Sequence, residues 1–443
     1  MENAKPTNVR WGVFFALFVL CSINYVDRAV LSLCMPAIQK DLHLDPALVG
    51  VILSAFFWGY ASMQIPAGWL TDRFRTDKLI IISAILWGVF QIISGFAATT
   101  RVFMFLRVLL GMSESTIYPG GTRLMSVWLT PEERGRGSSL LDSGSLFGNA
   151  IGGPIVIVFS AWMGGWRGAL IGAGLVTLFV SAFCWRFLKG SPDTNPRVNQ
   201  AECEYIKKAL AKEIKSSKNA NGLPKQNTGI RDYLKSLNFW CMMIGFYAMD
   251  SYWFGLMTWG PSYLSATHHL NIKALGGAVM VIFGVAAIAE LIGGLITDKW
   301  RKSGASVDTV IRTLLGLLAM GMMISMYCLS KTTSLVEVCV CLAVGASLVK
   351  WAAMLFFVIP SAITQREHLG TVTGAMNCSG NIGGIVTPIC VGLIVSFMKS
   401  YDWALMMFIG FGAIVLLSAL LFNLNNKIEA GLPAQVRPEG VSA

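Results

Sequence analysis

The stretch Phe56–Phe74, FFWGYASMQIPAGWLTDRF, runs from an apolar segment directly into a charged turn. Its last part, Gly68 to Arg73, is repeated in looser form as GLITDK at Gly294 to Lys299. The sequences GNAIGGPI from Gly148 and GNIGGIVTPI from Gly380 form a second such pair. A long-period repeat in an apolar chain indicates two similar helical bundles related by an axis along the membrane normal.

Apolar segments long enough to cross a bilayer recur along the whole chain. Hydrophobic residues make up 54% of the 443 residues and charged residues only 13%, and about 20 apolar residues cover the hydrocarbon core of a membrane. We predict an all-α membrane protein with twelve transmembrane helices in two pseudo-symmetric six-helix bundles. The predicted spans start near Trp11, Leu48, Leu79, Val102, Gly137, Gly168, Asn238, Leu275, Val307, Leu335, Thr371 and Trp403.

The basic residues are spread unevenly over the two sets of loops. If both termini lie on one side, that side collects about twenty-five Lys and Arg residues and the other about six, which predicts cytoplasmic termini. The net charge of +11 is therefore attributed to membrane topology. Because no basic stripe is interleaved with aromatic residues, we expect the lipid bilayer, and no nucleic acid, as a partner.

A polar stretch from Leu188 to Ser236 divides the chain. It contains EYIKKALAKEIK, in which Ile206, Leu210 and Ile214 share one helical face, and the flexible segment SSKNANGLPKQNTG. We predict an N-terminal six-helix bundle over residues 1–188, a cytoplasmic linker with a short amphipathic helix over 189–236, a C-terminal bundle over 237–427 and a cytoplasmic tail over 428–443.

Four ionisable residues, Asp27, Arg28, Arg107 and Glu114, lie inside predicted spans. A charge at the bilayer centre costs about 2.5–3.5 kcal/mol even on lenient scales, and such residues usually line an ion or substrate path. Arg107 and Glu114 are seven residues apart, so they share one helix face about 10 Å apart along the axis. The alternative is that all four form structural ion pairs, although buried pairs stabilise packing poorly compared with apolar contacts.

The chemistry of these residues favours transport of a small anion. The planar guanidinium groups of Arg28 and Arg107 suit a carboxylate better than an ammonium group does, so we predict that they hold the substrate. Burial favours the protonated form of a carboxyl group and a nearby arginine favours the ionised form. We therefore predict that Asp27 and Glu114 couple transport to protons.

Lys350 in the predicted tenth span adds a third cation at membrane depth. It could bind a second anionic group of the substrate, or it could pair with Asp250 in the seventh span. Tyr252 and Trp253 follow Asp250 and could form a wall of the binding pocket. Glu290 and Asp142 lie nearer the predicted cytoplasmic ends of their spans, and we interpret them as gate or packing residues.

The repeated turns after the second and eighth spans predict a gate. Asp72 can accept hydrogen bonds from a neighbouring helix N-terminus or from Arg134, and Asp298 repeats it in the second half. Arg73 completes the turn. The alternative is a solvated turn. The excess of basic residues in cytoplasmic loops would then explain Arg73, but it would not explain why an acid is repeated at Asp298.

These turns, with the segments NYVDRAVLS from Asn24, GMSESTIYPGGTR from Gly111 and WLTPEERGRG from Trp128, resemble the major facilitator superfamily. Within it, they are most similar to the anion:cation symporter family, which includes bacterial carriers of galactonate, glucarate and hexuronates. The resemblance covers essentially the whole chain. It implies proton-coupled uptake of an organic anion through the bacterial inner membrane by a monomer, with no cofactor.

The resemblance also implies roles for individual positions. Substrate-holding residues of the family match Tyr25, Arg28, Tyr60, Arg107 and Asn377, and its proton-binding acids match Asp27 and Glu114. The chain departs from the pattern at three places. Ser145 replaces a glutamine of the galactonate carriers, Arg75 replaces a glycine of the loop motif, and Asp250 replaces a small apolar residue. Lys350 aligns with a basic residue of the glucarate-type carriers.

Three functional classes are compatible with an apolar chain of this kind. The first is a proton-driven symporter of a sugar acid or another organic anion, such as an aromatic acid or a sulfonate. The second is an anion exchanger with the same fold. The third, a sensor or membrane enzyme, lacks a phosphate-binding loop, a nucleophile elbow or histidine and cysteine residues at metal-binding spacing. We therefore predict a transporter and no enzyme.

Overall fold

The computed structural model describes residues 6–130, 133–220, 233–364 and 369–424. The first part of the chain forms α1 (Val9–Asp41), α2 (Pro46–Arg73), α3 (Thr76–Gly95), α4 (Thr100–Glu114), α5 (Ile117–Trp128), α6 (Arg134–Met163), α7 (Gly165–Trp185) and α8 (Gln200–Ala220). The second part forms α9 (Leu237–His268), α10 (Ile272–Lys302), α11 (Val307–Leu329), α12 (Leu335–Phe356), α13 (Ile359–Ile363), α14 (Leu369–Met398) and α15 (Asp402–Leu421). Parts of the predicted linker and the predicted tail lie outside the described residues.

Ten of these helices are long and apolar enough to cross a membrane. They correspond to ten of the predicted spans. The predicted fourth span is divided into α4 and α5, and the predicted seventh is α9, whose Trp, Tyr, Ser and Thr residues lower its mean hydropathy. Large apolar side chains on the outer surface, such as Ile65, Trp162 and Phe397, are 86%, 78% and 79% exposed, as expected for contact with lipid.

The two halves repeat the same helix packing. In the first half α1 packs on α6 and α7, α3 on α7 and α4, and α2 on α4. In the second half α9 packs on α14 and α15, α11 on α15 and α12, and α10 on α12. The halves meet along α2 and α14, along α6 and α10, and along α1 and α9. The predicted pair of pseudo-symmetric bundles is therefore present.

Both halves contain a helix break at the equivalent place. The break after α4 precedes Pro119, and the break after α12 precedes Pro360. A proline lacks the N–H that would bond the carbonyl four residues earlier, and its ring collides with that carbonyl. Those carbonyls belong to Ser115 and Phe356, which lie where α4 and α12 end. The two prolines therefore explain the two breaks.

Glycine residues allow α2 and α4 to approach closely. A Cβ atom at Gly111 would collide with the carbonyl oxygen of Phe56, and one at Gly59 would collide with the carbonyl of Val108. Only glycine permits such an approach of two helix backbones. This contact places α4, which carries Arg107, against α2, and Arg107 lines one cavity with Phe56 and Phe57 of α2.

Helix α8 is attached to the start of α1. Glu202, which is fully buried, accepts hydrogen bonds from the Thr7 hydroxyl at 2.6 Å and from the backbone N–H groups of Val9 and Arg10 at 3.2 Å each. The Arg10 guanidinium lies 2.8 Å from Glu202 and 3.0 Å from Glu133. Glu202 thereby satisfies free donors at the N-terminus of α1, where a negative charge also complements the helix dipole.

Candidate functional site

A small cavity lies between the two halves and contains three of the four charged residues that the sequence singled out. Its volume is about 20 Å³, which is room for about one water molecule. In this conformation the cavity is too small for a six-carbon acid. Its lining comes from α1, α2, α4 and α9 and consists of Asp27, Arg28, Leu31, Ser32, Leu53, Phe56, Phe57, Arg107, Leu110, Met257 and Thr258.

Arg28 on α1 pairs with Glu114 on α4. Nε of Arg28 lies 3.4 Å from Oε2 of Glu114, and the two side chains are 5% and 0% exposed. Nη2 of Arg28 donates a hydrogen bond of 3.1 Å to Oδ1 of Asn24. A contact of 3.4 Å is long for a charge-assisted hydrogen bond, which is usually about 2.7–2.9 Å. Arg28 is therefore held only loosely by Glu114, and another carboxylate can take the place of Glu114.

Three aromatic rings surround the Arg28 guanidinium. Its central carbon lies 4.5 Å from the ring centres of Tyr25 and Phe56 and 4.9 Å from that of Tyr60. Rings at this distance attract a cation through their quadrupoles and hold the guanidinium plane in place. Tyr25 and Tyr60, which sequence reasoning assigned to the substrate, therefore contact the predicted substrate-binding arginine.

Arg107 is held by a residue that sequence reasoning missed. Its Nη2 donates a hydrogen bond of 2.6 Å to Oε1 of Gln91 on α3, and its guanidinium lies 5.3 Å from the Phe103 ring centre. Arg107 is 1% exposed and Gln91 is fully buried. The available signal was a single amide side chain in the apolar third span, since a buried amide must find a polar partner.

Asp27 lines the cavity and also contacts α7. Its Oδ2 accepts a hydrogen bond of 3.2 Å from the Thr177 hydroxyl. Its Oδ1 has no hydrogen-bond partner among the described residues, and neither do Oε1 of Glu114 and Nε of Arg107. Buried polar atoms normally find partners. The cavity lining therefore includes a free acceptor on Asp27 and a free donor on Arg107, and Glu114 beside it has a further free acceptor.

Lys350 on α12 forms a second charged contact in the other half. Its Nζ lies 3.9 Å from Oε2 of Glu290 on α10 and 4.7 Å from the ring centre of Trp253. No ion pair within 4 Å joins Lys350 to Asp250 in the described part of the chain. Glu290, presented by α10, is the acid within ion-pair distance of Lys350 among the described residues, and a pairing with Asp250 stays a prediction. Glu290 contacts the predicted substrate-binding lysine.

Other predicted binding residues lie apart from the cavity. Tyr252 is fully buried within the second half, where its hydroxyl donates to the carbonyl of Met322 at 3.3 Å. Ser145 is buried on α6, and its hydroxyl has no partner among the described residues. Asn377 is half-buried on α14. Their roles in substrate binding remain predictions.

The predicted gate is described only in part. Arg73 is exposed at the end of α2, with its guanidinium 5.3 Å from the Trp69 ring centre. Arg134 is half-buried at the first residue of α6. The side chains of Asp72 and Asp298 lie outside the described part of the structure, so the gate remains a prediction.

These features define a class of protein: a multi-pass membrane transport protein with charged residues buried between two repeated helical bundles. A sequence profile described as Major Facilitator Superfamily matches residues 17–388. The chain belongs to the Major Facilitator Superfamily, as its motifs predicted. The family consists of transporters and not of enzymes.

Several relatives are similar over nearly their whole length. The "Probable galactarate/D-glucarate transporter GudP" of Bacillus subtilis is 33% identical, with 94% of this chain and 92% of the relative covered. The protein of the same name in Escherichia coli K12 is 30% identical, with 93% of this chain and 92% of the relative covered. The "Probable sulfoacetate transporter SauU" of Cupriavidus necator is 28% identical, with 95% of this chain and 95% of the relative covered. The first two names agree with the predicted resemblance to sugar-acid carriers.

A solved structure has the same fold. It is the crystal structure of a bacterial homologue of the human lysosomal transporter Spinster in an inward-facing and occupied conformation. The TM-score is 0.71 at 17% sequence identity, and the match covers 95% of this chain and 97% of the other. The likeness establishes the all-helical fold and says nothing about the substrate.

Proposed function

We propose that this protein is a secondary active transporter that imports a small organic anion by proton symport with alternating access. The observation that carries the proposal is the buried Arg28–Glu114 contact of 3.4 Å beside a cavity between the two halves. A substrate carboxylate can replace Glu114 as the partner of Arg28, and Glu114 can then take a proton. The buried charge stays balanced in both states.

The substrate proposed here is a sugar acid. Two arginines near one cavity suit a carboxylate with neighbouring hydroxyl groups, because a guanidinium group offers five donors in a fixed plane. The names of the relatives GudP support galactarate or D-glucarate as the first compounds to test. The sulfoacetate transporter among the relatives makes a sulfonate the second class.

Membrane topology is part of the same proposal. The charge distribution supports cytoplasmic termini and a bacterial inner membrane location. We also propose that the carrier acts as a monomer with a bundle over residues 1–188, a linker over 189–236 and a second bundle over 237–427.

The test is proton flux in vesicles that contain the purified full-length protein. Sugar acids, dicarboxylates, aromatic acids and sulfonates are added in turn while internal pH is recorded. We expect internal acidification together with uptake for sugar acids. Uptake that requires a trans anion and carries no protons would instead identify an exchanger.

A further inference from the structure

A second pair of opposite charges lies in the second half, outside the first cavity. Lys350 Nζ is 3.9 Å from Oε2 of Glu290, and the two side chains are only 11% and 16% exposed. Oε2 of Glu290 has no hydrogen-bond partner among the described residues. The contact is therefore electrostatic without a hydrogen bond, so the ammonium donors of Lys350 are available to another acceptor.

The first pair has the same arrangement. Arg28 lies 3.4 Å from Oε2 of Glu114, while Oε1 of Glu114 has no hydrogen-bond partner in the described part of the chain. Helix α1, which carries Arg28, packs on α9 and α10, the helices that carry Trp253 and Glu290 beside Lys350. The two cations therefore lie on opposite sides of the boundary between the halves. This arrangement suits an anion that carries a carboxylate at each end.

We infer that Lys350 and Glu290 form a second substrate subsite, which binds the far carboxylate of a dicarboxylate and couples its passage to a second proton. The inference rests on the proposed function. Without substrate, Glu290 is the counter-ion of Lys350. When a substrate carboxylate takes that position, an ionised Glu290 would be left beside it without a cation, which is unfavourable in a buried site.

The exchange conserves charge and breaks no covalent bond. Glu290 gains one proton from water on the side from which the substrate enters, and Lys350 keeps its three protons throughout. On release, the substrate carboxylate leaves, Glu290 returns its proton to water and pairs again with Lys350. Each substrate carboxylate thus travels with one proton, so a dianion and a monoanion are both carried without net charge.

Other titratable groups face this pair from neighbouring helices, namely Cys21 and Tyr25 on α1, Asp142 on α6 and Asp250 on α9. Asp142 accepts a hydrogen bond of 3.3 Å from the Tyr118 hydroxyl. Among the described residues, neither Asp142 nor Asp250 lies within ion-pair distance of the ammonium group. Glu290 is therefore the acid that a substrate carboxylate would displace, and Asp142 provides a matched control.

The experiment compares D-glucarate with D-gluconate, which has the same carbon skeleton but only one carboxylate. Uptake and internal pH are followed together in vesicles containing the purified full-length protein. We expect about two protons per glucarate and about one per gluconate. In Glu290→Gln, glucarate should move with about one proton. It then carries one net negative charge, so an inside-positive potential should drive its uptake, while the number of protons per gluconate stays unchanged. Lys350→Met should weaken glucarate binding at least about tenfold and spare gluconate.

Asp142→Asn should transport glucarate with the same number of protons per molecule as the wild type. Proton uptake on glucarate binding, measured with a pH indicator in weakly buffered detergent, gives a second readout if Glu290→Gln transports poorly. If the wild type moves both acids and Glu290→Gln keeps the wild-type ratio, this inference is overturned and the proposed function stands. A fall in the ratio for Asp142→Asn would also overturn it. If the wild type moves neither acid, the sugar-acid assignment fails and this inference fails with it, while proton symport of another organic anion is decided by the panel of anions above.

Discussion

Arg28 and Glu114 face each other across the α1–α4 boundary at 3.4 Å, although the nearest ionisable residue on the same helix as Glu114 is Arg107. Arg107 instead donates to Gln91 on α3. The two arginines therefore have different neighbours. Among the described residues Arg28 has an acid that can accept a proton, whereas Arg107 is held by a neutral amide, so of these two arginines Arg28 is the one that can exchange a protein carboxylate for a substrate carboxylate.

Removing either arginine should abolish saturable substrate binding. We expect Arg28→Ala and Arg107→Ala to lose about 2–5 kcal/mol of binding free energy, or roughly 30-fold to several-thousand-fold in affinity. Lysine at either position should rescue poorly because the bidentate geometry is lost. Titration calorimetry on the purified protein measures this. Arg101→Ala, an exposed residue on α4, is the control. Wild-type affinity in folded Arg107→Ala would contradict the assignment.

Neutralising the two buried acids should separate binding from coupling. Glu114→Gln and Asp27→Asn imitate the protonated state, so exchange of a monocarboxylate between equal pools should survive while its accumulation driven by a pH gradient is lost. Radiolabelled uptake in vesicles, with and without the gradient, measures both activities. If both variants still accumulate substrate along a pH gradient, these acids lie outside the proton path and anion exchange becomes the better proposal.

The close contact between α6 and α10 should not tolerate a side chain at Gly153. A Cβ atom at Gly153 would collide with the carbonyl oxygen of Gly276, whereas one at Gly277 would meet nothing within 4 Å. Gly153→Ala should therefore separate the helices and reduce both thermal stability and transport. Gly277→Ala should be neutral or stabilising by up to about 1 kcal/mol, because alanine favours helix. Equal melting temperatures in detergent for the two variants would refute this contact.

The attachment of α8 to α1 should contribute to stability. Glu202→Ala leaves two backbone N–H groups without their acceptor and removes one of the two acids that hold Arg10, so the loss should stay below the roughly 3–5 kcal/mol that a fully orphaned buried charge costs. Glu204→Ala on the same helix removes exposed contacts of 3.6 Å with Lys208 and 3.2 Å with Gln200 and should change little. Thermal unfolding of the two variants in detergent gives the comparison. Similar losses would show that Glu202 acts only through helix propensity.

The repeat and the apolar pattern predicted the fold, yet they did not predict the divided spans. Proline in an apolar run does not by itself indicate a break, because neighbouring helices can satisfy the freed backbone groups of a membrane helix. In this protein Pro119 and Pro360 coincide with breaks. Other prolines remain inside continuous helices, namely Pro36, Pro66, Pro154, Pro261 and Pro388.

Sequence spacing identified the buried charges but not their partners. Helical periodicity shows which residues of one helix share a face, and Arg107 and Glu114 are indeed both buried. It cannot show which neighbouring helix covers that face. The partners Gln91 and Thr177 lie on α3 and α7, and Glu290 reaches Lys350 from α10. These contacts depend on how closely helices pack, which the pattern within one helix does not specify.

The break at Ser115 separates two functions within the fourth span. Arg107 and Glu114 lie before it on α4, while α5 continues beyond it as a separate segment. The break can therefore act as a joint: α5 could tilt to admit or block a solute while the charged residues of α4 keep their spacing. Access and recognition would then be adjustable independently, so that a change in the bend alters the rate of turnover without altering which anion is chosen.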